Sequence, residues 1–258
     1  MQLDQSALWN TESALWRLQE EAQRPIYEAI LESLGSPGQR SLIDIGCGTG
    51  YFLQLASERG FSCSGADIAQ NQIDYARSVC KNVAFEVGSM ESLHYPDESF
   101  HVAVCNNSLQ FSADPLISLQ RIWRMIKPGG HLVVTLWTDP RDSDAFGYFK
   151  VLYRITGQPE LWSLPFNLSR PGQLEELMVA CNFTVVSRET VRCPRVYHDM
   201  DTALSGLMSS GPARMAINQS STEQVREGIA QAILPFRNDA GEICMVNSFS
   251  YCIARKHN

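Results

Sequence analysis

The feature that most constrains the fold is an apolar run that passes directly into a glycine-rich turn. Residues 42–50 read LIDIGCGTG, and residues 51–59 continue with helical periodicity. A short apolar run that ends in glycines is typical of a buried strand. Glycine also tolerates positive φ and lets a ligand approach the backbone, because it has no Cβ. The segment therefore predicts a strand, a turn and a helix, with a ligand site at the turn.

Short apolar runs alternate with helical segments from residue 42 to residue 137. This alternation is typical of parallel strands joined by crossover helices, and it predicts a doubly wound α/β sheet. Five strands are predicted there, at Leu42–Ile45, Ser62–Ile68, Val83–Val87, Val102–Asn106 and His131–Trp137. Two more are predicted later, at Val185–Val191 and, in antiparallel orientation, at Ile243–Ala254.

Two helices have clear start signals. Asp114 and Pro115 place an N-cap before a proline at the first helical position, and residues 128–130 are predicted to end this helix and turn the chain. Its predicted apolar face carries Leu116, Leu119, Ile122, Trp123 and Ile126. A second helix is predicted from about Ser169 to Asn182. Residues 1–38 also have a helical pattern, and residues 199–233 read as one or two helices.

The composition argues against several classes of partner. The formal net charge is -7 and no run of lysine or arginine stands out, so no nucleic-acid substrate is predicted. The chain has neither a basic leader followed by an apolar segment nor a membrane-length apolar run, which favours a cytoplasmic protein. The eight cysteines are dispersed and read as reduced core residues. Neither they nor the five histidines have metal-ligand spacing, so no metal site is predicted.

An acidic residue ends the second predicted strand. Asp67 lies seventeen residues after Gly50, where an acid in a nucleotide-binding sheet accepts hydrogen bonds from both ribose hydroxyls. The alternative is a helix N-cap or turn aspartate, because residues 69–71 begin a helix, and the two roles are compatible. A NAD site would have glycine where Tyr51 stands. The pattern favours a nucleoside ligand and weakens the alternative of a NAD-dependent oxidoreductase.

Several segments, in order, resemble the class I S-adenosylmethionine (AdoMet)-dependent methyltransferases, in particular small-molecule enzymes similar to the type 11 and type 25 groups. The resemblance covers about residues 40–137. It is carried by Leu42–Gly50, Gly65–Ile68, Gly88–Leu93, Tyr95–Phe100, Val102–Gln110 and Arg121–Leu136. It implies a Rossmann-like, doubly wound sheet of seven mostly parallel strands, with one antiparallel strand near the C-terminus and helical lid segments.

The resemblance also implies how the chain is organised around AdoMet. Residues 1–258 would form one methyltransferase domain, with residues 1–38 as an N-terminal helical lid. Residues 40–137 would be the cofactor-binding half, and residues 138–258 the acceptor half with inserted helices.

The glycine-rich loop is implied to hold the methionine part of AdoMet. Backbone groups of Gly46, Cys47 and Gly48, in the loop that Gly50 completes, would line it, and Asp44 would help to orient its amino group. The other implied contacts are Asp67 at the ribose, Ile68 against adenine, Ser89 and Met90 at the adenine edge, the Asn106 carbonyl at the amino group, and Trp9 from the lid. Many family members have aspartate where Ser89 stands, so the Met90 N–H and side chain carry the implied adenine contact.

Methyl transfer from AdoMet is an in-line displacement that leaves S-adenosylhomocysteine, so alignment and exclusion of water are the protein's main tasks. No catalytic base is assigned. If the acceptor must lose a proton, His198, His131 or a water molecule would accept it.

Aromatic residues cluster after the last predicted parallel strand, and they suit either the wall of an apolar pocket or the packing of a helical lid. They are Trp137, Phe146, Tyr148, Phe149, Tyr153, Trp162 and Phe166. The predicted acceptor is a small molecule with an apolar or aromatic part, and its identity, the acceptor atom and the oligomeric state stay open. An AdoMet-binding scaffold or regulatory protein without activity is the alternative outside catalysis.

Overall fold

A computed structural model describes residues 5–157 and 164–257. Its sheet has seven strands in the order β3-β2-β1-β4-β5-β7-β6. The strands are β1 Ser41–Ile45, β2 Ser62–Asp67, β3 Ala84–Val87, β4 Phe100–Asn106, β5 Ile126–Trp137, β6 Phe183–Tyr197 and β7 Ile243–Lys256. β1 to β5 pair in parallel, whereas β7 runs antiparallel to both β5 and β6. The predicted fold class is confirmed.

The parallel strands bring their carboxyl ends to one edge of the sheet. β1 lies between β2 and β4, so the chain builds the sheet outward in both directions from β1. The end of β1 is therefore the point where the strand order reverses. In open α/β sheets this switch point leaves a crevice in which ligands bind.

The helices of the described residues fall into three groups along the chain. Before the sheet lie α1 Gln5–Trp9, α2 Ser13–Glu21 and α3 Arg24–Leu34. After individual strands, residues 5–157 and 164–257 include α4 Tyr51–Glu58, α5 Gln70–Val79, α6 Pro115–Met125, α7 Phe146–Thr156 and α8 Gln173–Ala180. Three lie between β6 and β7: α9 Met200–Met208, α10 Gly211–Gln219 and α11 Thr222–Ile233. Within the described ranges, no helix has the length and apolar character needed to cross a bilayer.

Apolar layers cover both faces of the sheet. Leu42 of β1 packs with Ile26 of α3, whereas its neighbour Ile43 points to the other face and packs with Leu119 of α6 and Met178 of α8. This alternation follows from the two-residue period of a strand. A third cluster joins α7 to α9, α10 and α11 and packs above the sheet.

The start of α6 agrees with the prediction, but its end does not. The Asp114 side chain accepts hydrogen bonds from the N–H groups of Leu116 and Ile117, at 3.0 and 3.1 Å. Leu116 is 39% exposed, however, and so is not on the buried face. The helix stops at Met125, and residues 128–130 lie within β5. The predicted change of direction is present as a bulge at the start of β5, because Ile126 pairs with Phe100 and His131 with Val102, so the residues between them have no partner on β4.

Residues 199–233 form three helices, not one or two. Each begins at a side chain that accepts a hydrogen bond from a backbone N–H near its start: Asp199 from Thr202, Ser210 from Ala213 and Ser221 from Gln224. Such N-caps satisfy N–H groups that have no partner within the helix. Three caps in succession divide what reads as continuous helical periodicity.

Candidate functional site

A cavity of about 630 Å³ opens at the carboxyl edge of the sheet. Helices α1, α2 and α7 contribute to its wall, together with the loops after β1, β2, β3 and β4. Ten of the predicted cofactor contacts line it: Trp9, Asp44, Gly46, Cys47, Gly48, Asp67, Ile68, Ser89, Met90 and Asn106. The structure thus brings together residues that are spread over almost a hundred positions of sequence.

Gly50, the eleventh predicted contact, is not part of this wall. It has φ +80° and caps the N-terminus of α4. A Cβ at this position would lie 3.2 Å from the Ala76 Cβ and 3.4 Å from the Cys80 Sγ. The absence of a side chain at Gly50 therefore allows α4 and α5 to pack closely.

The loop after β1 needs glycine because other segments approach its backbone closely. Gly46 and Gly48 have φ values of +77° and +53°. A Cβ on Gly46 would overlap the Ser108 side chain, and a Cβ on Gly48 would overlap the carboxylate of Glu20. Both the backbone conformation and the close contacts exclude larger residues.

Asp67, at the end of β2, connects the glycine-rich loop to α5. Its Oδ2 accepts a hydrogen bond from the Gly48 N–H at 2.8 Å, and its Oδ1 accepts one from the Ala69 N–H at 2.9 Å. Burial raises the pKa of Asp67, and these backbone N–H groups oppose the rise. The predicted turn role is therefore present, and the same carboxylate also faces the cavity. Each carboxylate oxygen has a further lone pair with which to accept another hydrogen bond.

Asp44 and Asn106 meet where β1 and β4 end side by side. The Asn106 Nδ2 donates a hydrogen bond to the Asp44 Oδ2 at 3.2 Å. The Oδ1 atoms of both residues are buried, and no described group donates to either. Burial raises the pKa of Asp44 to about 8, and nearby Glu20 and Asp67 add to the rise. Unpaired buried acceptors are costly, so this corner of the cavity favours a ligand with a donor group, above all a cationic one.

Glu20 is a third buried carboxylate at the loop, and the sequence analysis missed it. It accepts hydrogen bonds from the Thr49 N–H at 2.9 Å and from the Thr49 hydroxyl. Burial raises its pKa to about 7. The available signal is its spacing: Trp16 and Glu20 are four residues apart on α2 and both line the cavity. Glu20 attaches the N-terminal helices to the glycine-rich loop.

The loop after β3 and helix α1 line another part of the cavity. The Ser89 hydroxyl contacts the Ser92 hydroxyl at 3.1 Å, so it already has a partner in its own turn. The Trp9 ring packs edge-on against Trp16 and Phe111, with centroid separations of 5.2 and 5.1 Å. Trp9 therefore closes this side of the cavity.

Three of the seven aromatic residues predicted for the acceptor pocket line the cavity: Trp137, Tyr148 and Phe149. Phe166 packs behind them, 5.2 Å from Phe149 between ring centroids. Phe146 and Tyr153 are not part of the wall, and Tyr153 is 41% exposed. Trp162 lies outside the described residues. The pocket prediction and the packing alternative thus each apply to some of these residues.

Neither histidine named as a possible base lies at the cavity. His131 pairs with Arg255 across β5 and β7, and His198 is exposed before α9. Other polar side chains of the cavity wall are Gln19, Arg195 and Tyr197, which were not among the predicted site residues. Among the described residues, no group of three or more histidine, cysteine, aspartate or glutamate side chains has a metal-binding arrangement.

Known proteins resemble the chain in both sequence and fold. Residues 43–134 match the family model described as a methyltransferase domain. The chain is 33% identical to malonyl-[acyl-carrier protein] O-methyltransferase of Serratia marcescens over 110 residues, which are 42% of each protein. It is 23% identical to the enzyme of the same name from Erwinia pyrifoliae over 220 residues, which are 85% of this chain and 80% of the relative. The chain spans less than half the length of the first curated relatives that it matches.

A solved structure extends the likeness to most of the fold. The YcgJ protein of Bacillus subtilis superimposes with a TM-score of 0.60 at 18% identity, covering 90% of this chain and 98% of that protein. At this level of identity the likeness establishes the arrangement of strands and helices.

Proposed function

Because the chain belongs to the class I AdoMet-dependent methyltransferases, we propose that it transfers a methyl group from AdoMet to a small-molecule acceptor held in the cavity. The observation that carries the proposal is the pair of unpaired buried oxygens, Asp44 Oδ1 and Asn106 Oδ1, beside the glycine-rich loop. AdoMet has an ammonium group that donates hydrogen bonds and a sulfonium group that adds a second positive charge. Its cationic groups match a corner that lacks donors and is surrounded by buried carboxylates.

The residues around that corner fit the rest of the cofactor. Gly46 and Gly48 leave their backbone accessible to the methionine part, and Asp67 has lone pairs available for the ribose hydroxyls. Ile68 and Met90 offer apolar contacts for adenine. These residues would bind and orient AdoMet, which supplies an electrophilic methyl group.

The acceptor would enter from the aromatic side of the cavity. In-line displacement needs the acceptor atom behind the methyl group and little water around it. Trp137, Tyr148 and Phe149 give that side an apolar surface, and helices α1 and α2 also contribute to the wall of the cavity. The two relatives are O-methyltransferases by name, so oxygen is the first acceptor atom to test.

The proposal treats residues 1–258 as one catalytic domain and places it in the cytoplasm. All eight cysteines are unpaired thiols and seven of them are buried, which suits a reducing compartment. Six of the eight act as small apolar residues in the cores on both faces of the sheet.

Calorimetric titration with AdoMet, S-adenosylhomocysteine and NAD tests the cofactor assignment. We expect both adenosyl compounds to bind and NAD not to bind. Asp67→Asn should weaken AdoMet binding by roughly 10- to 100-fold, because charge-assisted hydrogen bonds contribute about 1.5–3 kcal/mol. Asp74→Asn, at an exposed position on α5, is the matched control and should bind normally. Binding of NAD without AdoMet would defeat the proposal.

Catalysis is tested separately with labelled AdoMet and an extract of small metabolites. The wild-type protein should label at least one compound, and Asp67→Asn should label it more slowly. A protein that binds AdoMet tightly but labels nothing would be a binding scaffold or regulatory protein.

A further inference from the structure

Arg195 is the one lysine, arginine or histidine among the described residues that line the cavity. It lies on β6, where Cys193, Arg195 and Tyr197 face inward and are buried. Arg195 is only 9% exposed. Arg192, on the same strand, is exposed to solvent. A single arginine is thus buried on the acceptor side.

The guanidinium group of Arg195 is held in place on one side. Its Nη1 donates hydrogen bonds to the Leu18 carbonyl and to the Gln19 Oε1, the latter at 3.2 Å. The group also stacks on the Tyr197 ring, 4.0 Å from its centroid. Gln19 in turn donates to the Tyr197 hydroxyl at 3.3 Å. These contacts fix the position of the guanidinium group and use one of its three nitrogens.

The exposed carboxylate of Glu21 is close enough to raise the pKa of Arg195, but it forms its ion pair with Arg17. No aspartate or glutamate within the described ranges forms an ion pair with Arg195. The carboxylates nearest the cofactor corner serve the glycine-rich loop instead, Glu20 through Thr49 and Asp67 through Gly48. Burial lowers the pKa of Arg195, but arginine stays charged in proteins. A buried cation with free donors favours an anion from outside the chain.

Apolar side chains line the cavity near this cation. Met245 of β7 is the cross-strand partner of Arg195. Met245 belongs to one apolar cluster with Tyr148, Leu207 and Tyr197, the residue on which the guanidinium group stacks. A ligand of this region therefore needs both an anionic group and an apolar body.

We propose that Arg195 binds an anionic group of the methyl acceptor, so that the substrate is an organic carboxylate or phosphate with an apolar or aromatic body. The inference rests on the proposed function and names the class of its acceptor. Arginine suits both anions, because its planar donors match two oxygens at once.

Three aromatic probes of similar size test the inference on the full chain saturated with S-adenosylhomocysteine. They are phenylacetate, phenyl phosphate and the neutral phenylacetamide, and their affinities are measured by calorimetry. At least one anion should bind about tenfold more tightly than the amide, as expected for charge-assisted hydrogen bonds. The anion that binds more tightly identifies carboxylate or phosphate as the natural group.

Variants of Arg195 then test whether this residue causes the preference for the anionic probe over the amide. Arg195→Gln should reduce the preference for the anion to less than threefold, while Arg195→Lys should keep part of it. Arg192→Gln, exposed on the same strand, is the matched control and should leave the preference unchanged. All three variants should still bind S-adenosylhomocysteine, which reports that they are folded.

The outcomes separate the two proposals. If the wild-type protein does not bind S-adenosylhomocysteine, the proposed function is wrong. If it does bind, but the anions bind no better than the amide or do not bind, the role of Arg195 is wrong. That role is also wrong if folded Arg195→Gln keeps the full preference, since Arg195 would then only hold α2 against β6.

Discussion

The side of the cavity proposed for the cofactor and the side proposed for the acceptor are built in different ways. On the cofactor side, Asp44, Gly46, Asp67 and Asn106 each lie within one residue of the end of β1, β2 or β4. Their positions follow from where the strands stop, because parallel strands bring their carboxyl ends to one edge.

On the acceptor side, the wall comes from elements that are distant in sequence. Gln19 is on α2, Tyr148 on α7, Arg195 on β6 and Phe249 on β7. These positions depend on how α2 and the three helices before β7 pack on the sheet. The comparison teaches that cofactor binding is encoded by local turns, whereas acceptor choice is encoded by long-range packing.

Among the variants that test this difference, Gly48→Ala should have the largest effect, which is a loss of AdoMet affinity. A Cβ there would overlap the Glu20 carboxylate, and positive φ adds about 1–2 kcal/mol for a residue other than glycine. The new Cβ would also displace the buried, hydrogen-bonded carboxylate of Glu20. Because the loop would then change shape, AdoMet affinity should fall by roughly 100-fold. The measurement is a calorimetric titration.

Gly38→Ala is the matched control for this variant. Gly38 has the same φ of +53°, but a Cβ there would meet no atom within 4 Å. It should lose stability from backbone strain alone and bind AdoMet normally. Equal losses of affinity in the two variants would contradict the role of the close approach.

A smaller effect concerns pH and Glu20. Its pKa is raised from 4.5 to about 7, so between these values the folded protein keeps a proton that the unfolded chain has lost. The free energy of unfolding should therefore fall as pH rises from about 4.5 to 7, and level off above 7 as far as Glu20 is concerned. Glu20→Gln should remove the contribution of Glu20 to this decrease in the free energy of unfolding, which is on the order of 2 kcal/mol. Urea unfolding at pH 5 and pH 8 measures it.

Glu21→Gln provides the control for the pH experiment, because Glu21 is the next residue on α2 and is exposed. It should leave the pH dependence of the wild-type protein unchanged. Saturating AdoMet should also flatten the dependence in the wild type, since its positive charges stabilise the ionised carboxylates. An unchanged slope in Glu20→Gln would show that the Glu20 carboxylate does not govern it.

The smallest effect is expected from Tyr148→Phe, in the acceptor half. The Tyr148 hydroxyl contacts the Ser210 hydroxyl and donates to the Leu207 carbonyl at 3.2 Å. Loss of these bonds should reduce the free energy of unfolding by about 1 kcal/mol and leave AdoMet affinity unchanged. A change in AdoMet affinity larger than twofold would show that the proposed acceptor side of the cavity also contributes to cofactor binding.

The difference between strand ends and long-range packing also explains which parts of the site could be predicted from the sequence. The glycine-rich turn at Gly46 and Gly48 and the acid at Asp67 were readable because each lies at the end of a strand. The succession of strands and helices along the chain was readable from alternating apolar runs. Gly50 carried the same signal, yet it packs α4 against α5. A glycine pattern alone does not reveal whether the close neighbour is a ligand or a helix.

Other features were hidden from sequence reasoning for physical reasons. Glu20 reads as a surface residue of a polar helix, and its burial against Thr49 follows from the docking of α2 on the loop. Arg195 lies in a strand that alternates buried and exposed positions, and the strand's register decides which of its arginines faces inward. Both depend on contacts between elements far apart in the chain.

The most direct test of the account is a crystal structure of the protein with bound S-adenosylhomocysteine. We predict that its amino group lies within hydrogen-bond distance of Asp44 or Asn106 and that Asp67 accepts hydrogen bonds from the ribose. A ligand bound elsewhere, or one whose ribose is remote from Asp67, would contradict the account.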